Sequence, residues 1–438
     1  MSQSRMPNQG PKSELPKKLG WTFLLLVFYR IGAHVPIPGV DTGALREIFQ
    51  GLQGTLFGLL DMFSGGAMAN LSIFALGVMP YISASIIMQL LQVVSPDLKR
   101  MAKEEGQAGR KKVTQYTRYG TVLIAIVQGL ALAKVVMGMH TNSGAPVVLY
   151  PGLSFTLITT LTITAGTILV MWIGERITEK GIGNGISLII FAGIVAGIPT
   201  GVYRLFGMVS GGTMSIIAAL LLVVFMAAVL IFIVFMERGQ RRIPIHYAKR
   251  QVGRKMMGGQ STHLPLKVNT AGVIPPIFAS SLLMFPATIA QVFTAQWVQD
   301  VTAWFSMGGL IYNLIFVALI VFFCFFYTAI VFDTKDISEN LKKQGGFVPG
   351  IRPGLKTQEY IDRVLTRITV WGALYISIIC VLPQVMMQQF QIPFYFGGTS
   401  LLIVVGVSMD FMSQVESQLI SNKYEGMLGK TRIKGRNG

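Results

Sequence analysis

Gly77-Val78-Met79-Pro80-Tyr81-Ile82-Ser83-Ala84-Ser85 and Gly272-Val273-Ile274-Pro275-Pro276-Ile277-Phe278-Ala279-Ser280 agree at six of their nine positions and stand almost half a chain apart. Each lies inside a long apolar stretch. Apolar runs share Gly, Ile, Val and Ala by chance, but shared Pro and Ser positions do not arise so easily. A motif that returns after half the chain marks an internal repeat, and the number of membrane crossings between the copies sets their relative direction.

Those crossings can be counted. The chain has 438 residues, 52% of them hydrophobic and 13% charged, a composition outside the soluble range. Ten apolar stretches approach the roughly 20 residues a helix needs to cross about 30 Å of hydrocarbon. They begin near Trp21, Ile73, Tyr119, Phe155, Ile186, Ser215, Ala271, Gly308, Ile368 and Thr399. Runs such as Ala218 to Phe235 are apolar on every side, which suits a helix and not the alternating strand of an outer-membrane barrel. The copies occupy the second and seventh stretches, so the second copy runs the opposite way across the membrane. The sequence therefore predicts an all-α integral membrane protein of ten transmembrane helices in two inverted five-helix halves, with a pathway between them. The halves fall at about 19–200 and 201–415, flanked by an N-terminal segment 1–18 and a C-terminal tail 416–438.

Charge gives the orientation. The net charge is +18, and 33 of the 37 Lys and Arg residues fall in alternate connecting segments and the two ends. The others are Arg46, Lys134 and Arg204 on the opposite side and Arg30 inside the first stretch. Basic residues stay cytoplasmic, so both termini are expected there. The first stretch ends in His34 and Pro36 without a small-residue cleavage site, and is expected to remain as a span. Cys324 and Cys380 lie within spans, where a thiol acts as a small apolar group.

A coupled carrier needs charged or strongly polar groups at mid-membrane. Here most ionisable residues cluster at span ends, with Arg30 and Asp410 deeper and Asp61 in a loop, while the repeat places Val78, Ile82 and Ile277 where binding groups would stand. An apolar constriction of this kind excludes water and ions; ordinary helix packing is the plainer reading of the same residues. A small-solute carrier of inverted-repeat type, with the repeat's serines holding the solute, is the alternative. Gly429-Lys430-Thr431 ends like a phosphate-binding loop, but Tyr424 replaces the first glycine and no residue cluster has metal-ligand spacing. No enzymatic activity, cofactor or metal is expected, so energy for transport has to come from outside the chain.

Several strings, in order, resemble the SecY family of bacterial protein-export channel subunits: Tyr29-Arg30-Ile31-Gly32, Pro36-Ile37-Pro38-Gly39-Val40-Asp41, Phe63-Ser64-Gly65-Gly66 and the first repeat copy. Further on come Gly181-Ile182-Gly183-Asn184-Gly185-Ile186-Ser187, Ser261-Thr262-His263-Leu264-Pro265-Leu266-Lys267, Pro349-Gly350-Ile351-Arg352-Pro353-Gly354 and Phe396-Gly397-Gly398-Thr399-Ser400. The resemblance implies a channel in the bacterial cytoplasmic membrane that passes unfolded secretory polypeptides and releases transmembrane segments sideways into the lipid bilayer. Its central pore is an hourglass with an apolar ring, which would be Val78, Ile82, Ile186, Ile190, Ile277, Leu282 and Ile403. A plug closing the pore from outside would run over about 62–70, including Phe63, Ser64, Gly65 and Gly66; its small residues suggest that it is loosely held. A lateral gate would lie near Ser83, Phe285 and Ile289, where Pro286 is placed to kink the helix.

Two cytoplasmic loops, about 237–269 and 333–367, hold more positive charge than orientation requires. Arg241, Arg242, Lys249, Arg250, Arg254 and Lys255 stand in the first, and Arg352 between two Pro-Gly pairs in the second. Anionic surfaces should bind there, with attraction to anionic lipid headgroups as the simpler account. The resemblance implies that these loops dock the SecA motor ATPase and, through phosphate contacts without sequence reading, the ribosome. It also implies SecE and SecG as membrane partners and signal-bearing preproteins as cargo.

Overall fold

In the computed structural model, residues 14–51, 56–103, 105–141, 145–247, 250–252, 255–257, 261–290, 309–390 and 397–430 are described. Helices α1 (Glu14–Gly32), α2 (Thr42–Gly51), α3 (Leu56–Ser64), α4 (Met79–Val94), α5 (Pro96–Lys103), α6 (Gly106–Met137), α7 (Leu153–Lys180), α8 (Gly185–Ser210) and α9 (Ile216–Arg238) come first. Strands β1 (Gln240–Tyr247), β2 (Arg250–Val252), β3 (Lys255–Met257) and β4 (Ser261–Lys267) follow. The chain continues through α10 (Ile274–Ala290), α11 (Leu310–Val331), α12 (Thr334–Lys343), β5 (Gly346–Phe347), α13 (Leu355–Phe390) and α14 (Gly398–Lys430).

A helix stands at each of the ten expected crossings, namely α1, α4, α6 to α11, α13 and α14. Seven regions among the described residues are long and apolar enough to span a membrane. The repeat pair, α4 and α10, are the shorter apolar helices. The spans expected from Ile73 and Ala271 become helical only at Met79 and Ile274. The cause is local: Gly77 has φ +52° and Gly272 φ +64°, a left-handed conformation that cannot continue a right-handed helix. Prolines then occupy the first turn of both helices, where the missing N–H costs nothing.

Irregular backbone at membrane depth has to be buried in protein and hydrogen-bonded. Residues 71–78 meet that requirement. Leu71, Ser72, Phe74, Ala75, Leu76 and Val78 are buried, and Ile73 N–H donates to the Val35 carbonyl at 3.0 Å while Ile37 N–H donates to that of Leu71 at 3.0 Å. The Ile73 carbonyl rests against α7 at Gly166, where any Cβ would collide with it.

Two compact units result: Met1–Gln53, Phe57–Gly197 and Val407–Gly438 form one, Gly54–Leu56 and Ile198–Gly406 the other. In the first, α4 packs on α6 and α6 on α7; in the second, α10 packs on α11 and α11 on α13. The repeat is thus expressed as the same order of packed neighbours. Phe278 of α10 meets Phe323 of α11 edge-on, with centroids 5.6 Å apart. Helix α9 buries only Leu222 and Ile233, as a helix surrounded by lipid can.

The second unit also holds a small antiparallel sheet in the order β4-β1-β5, with Ile243 opposite Leu264 and Ile245 opposite Thr262. Its inner face packs with Leu341, Val348, Ile361 and Leu365 into a separate hydrophobic core.

Candidate functional site

The expected plug region, about 62–70, begins in the last turn of α3, which also contains Asp61, a residue the sequence placed in a loop. Its loose attachment is not observed. Ser64 is 1% exposed, and Phe63, Ala67 and Met68 are buried with it. The Tyr29 hydroxyl donates to the Ser64 carbonyl at 2.9 Å and Arg30 Nη1 to the Gly65 carbonyl at 2.7 Å. Asp61 Oδ1 accepts the Ala69 N–H at 2.7 Å, and Arg46 Nε donates to Asn70 Oδ1 at 2.7 Å. Gly65 has φ +70°, and a Cβ there would lie 2.7 Å from the Gly193 Cα of α8. Glycines on both sides permit that approach, so Gly65 serves close packing, whereas a Cβ on Gly66 would meet nothing within 4 Å.

Four expected ring residues belong to the first unit. Val78 caps α4 and Ile82 lies one turn on, as Ile186 and Ile190 do on α8, so each pair shares a helix face. Val78, Ile82 and Ile190 are buried. The turn leading into Ile186 is held by side chains from three helices: Ile182 N–H donates to Thr22 Oγ1, Gly183 N–H to Gln414 Oε1 and Gly185 N–H to Thr178 Oγ1. Asn184 Oδ1 accepts the Ile186 N–H at 3.1 Å.

In the second unit Ile277 is 7% exposed and Ile403 fully buried, whereas Leu282 is 42% exposed. Five residues separate Leu282 from Ile277, about 140° around a helix at 3.6 residues per turn, so Leu282 does not share the face of Ile277. Ser83 is half-buried on α4. Phe285 and Ile289 lie on α10, with side chains outside the described residues.

The two basic loops, read separately in the sequence, form one body. Arg241 and Arg242 are exposed on β1, and Arg352 is exposed on the turn between β5 and α13. Gly350 (φ +78°) and Gly354 (φ +99°) bracket that turn, while Ile351 packs against the core formed by Ile243, Ile245 and Leu266. Arg250 and Lys255 lie on the β2–β3 hairpin; Lys249 and Arg254 fall outside the described residues.

The SecY family model matches residues 72–412. The protein translocase subunit SecY of Pseudomonas aeruginosa is 51% identical over 433 residues, covering 98% of this chain and 96% of its own. The chain belongs to the SecY family. The Escherichia coli protein translocase subunit SecY is 50% identical over 98% of this chain and 97% of its own. The fold also matches the solved structure of a protein-conducting channel, at TM-score 0.66 and 17% identity, with 99% of this chain and 98% of that one covered. It further matches Sec61 in the canine ribosome-channel complex at TM-score 0.65 and 17% identity, over 99% of this chain and 98% of that chain. SecY-type architecture in a multi-pass membrane protein is the result.

Sequence reasoning did not single out Thr22 and Gln414, which hold the turn, Gly166, which admits the break, or Gly193, which packs against Gly65. Their partners are remote in sequence, and no spacing announces them.

Proposed function

We propose that this protein is the pore subunit of a bacterial protein translocase. It passes unfolded, signal-bearing polypeptides across the cytoplasmic membrane and releases transmembrane segments laterally into lipid. The observation that carries this reading is the paired break at Gly77 and Gly272, each followed by a helix whose first turns hold an apolar candidate ring residue, within a chain half-identical to named translocase subunits. Val78, Ile82, Ile186, Ile190, Ile277 and Ile403 then form the seal, 62–70 the plug, and α4 and α10 the gate at Ser83, Phe285 and Ile289. The basic body presents Arg241, Arg242 and Arg352 to SecA or to ribosomal RNA, whose phosphates guanidinium groups bind without reading sequence. SecE and SecG complete the complex, and both termini face the cytoplasm.

Lipid sorts the cargo. A central Leu or Ile favours insertion by about 0.3–0.6 kcal/mol, while a central charge opposes it by about 2.5–3.5 kcal/mol, so the channel need only offer both exits. Ion leak through reconstituted channels tests the seal: Ile82→Gly with Ile190→Gly should conduct where the parent does not. A parent-like seal in that variant, with solute uptake lost on changing Ser85 and Ser280, would favour a small-solute carrier.

A further inference from the structure

His34 lies just after α1, one helical turn beyond Arg30. The Arg30 guanidinium bridges two acceptors: Nη1 meets the Gly65 carbonyl at 2.7 Å and Nη2 meets His34 Nε2 at 3.3 Å. Arginine has only donors, so the second contact exists only while Nε2 carries no proton and the imidazole is neutral. We propose that His34 is a positioning residue for the plug: its neutral ring holds Arg30 on the Gly65 carbonyl, and its protonation from the extracytoplasmic side releases that hold.

The surroundings give the sign. Partial burial lowers the His34 pKa below the usual 6.5, and two cations, Arg30 of α1 and Arg46 of α2, lower it further. Asp61, the acid of α3, acts on Tyr29 of α1 and accepts the Ala69 N–H. A lowered pKa in the seated state means that seating releases protons. The seated plug is favoured fully above the ordinary histidine pKa and loses that contribution as pH falls below it. A protonated His34 would place a third positive charge beside two arginines, and Arg30 would leave the carbonyl. Arg30 is the direct clasp, and His34 acts through it.

This inference rests on the channel reading, and one experiment separates the two. Full-length protein in its native complex is placed in planar bilayers, and ion conductance is recorded with the extracytoplasmic side at neutral pH and at about pH 5, below the ordinary histidine pKa. The parent should leak on the order of threefold more at the acid pH. His34→Gln, whose amide oxygen can still accept from Arg30 without titrating, should abolish the rise, and His34→Lys should leak at both pH values. Gly65→Val, which collides with Gly193, should also leak at both. If Gly65→Val and the ring double variant both stay tight, the channel reading fails. If either conducts, but the parent is insensitive to acid or His34→Gln retains the full acid rise, the His34 inference alone is overturned.

Discussion

Gly77 and Gly272, the first residues of the two repeat copies, adopt the same left-handed backbone, φ +52° and +64°, just before proline-initiated helices. One residue type at one repeat position therefore decides where both short helices begin. Side chains with a Cβ strain this conformation by about 1–2 kcal/mol. Gly77→Val and Gly272→Val should each destabilise the detergent-solubilised protein by that amount, seen as a lower unfolding temperature. An unchanged midpoint would mean that the break does not depend on glycine.

The Tyr29 hydroxyl is the donor to the buried Ser64 carbonyl, and a buried acceptor left unpaired costs about 1–3 kcal/mol. Tyr29→Phe should loosen the 62–70 segment without altering its sequence. With Ser64→Cys as reporter, thiol labelling should be slow in the parent background and faster once Tyr29 is Phe; equal rates would remove Tyr29 from the contacts that hold 62–70.

Arg352 and the β1 arginines belong to one body, so a charge change at the turn should weaken docking without unfolding the sheet. Arg352→Glu should reduce binding of ribosomes, measured by cosedimentation, by about tenfold, or 1.4 kcal/mol. Raising salt should narrow the difference. Ile361→Asp, which places a charge in the core behind the sheet, should instead abolish docking together with protease resistance of residues 240–267.

The ten crossings, the repeat and the basic loops were legible because each is carried by many residues: apolar length, recurrence and the alternation of charge. The breaks were not. Apolarity runs without interruption through Ile73 to Val78, while the helix boundary is decided by one glycine. The expected looseness of 62–70 failed for a related reason: Gly65 reads as freedom in the sequence, while the groups that hold the segment, Tyr29 on Ser64 and Arg30 and Gly193 on Gly65, are distant along the chain. The sheet left a faint trace in the alternation Ile243-Pro244-Ile245 and Leu264-Pro265-Leu266. Pro244 obscured it, yet β5 pairs with β1 only at His246 and Tyr247, so Pro244 lies where that side of β1 is an edge and no N–H is needed. Leu282 was placed by motif alone, and helical geometry turns it away from Ile277.

The central claim is that a polypeptide passes the apolar side chains that follow the two breaks. The most direct measurement places a photoreactive residue at Ile277, at Leu282 and at Arg204 in turn, and captures a stalled, signal-bearing nascent chain. A crosslink at Ile277 that requires the signal and is absent at Leu282 and Arg204 is the predicted result. Equal labelling at all three positions, or none at Ile277, would contradict it.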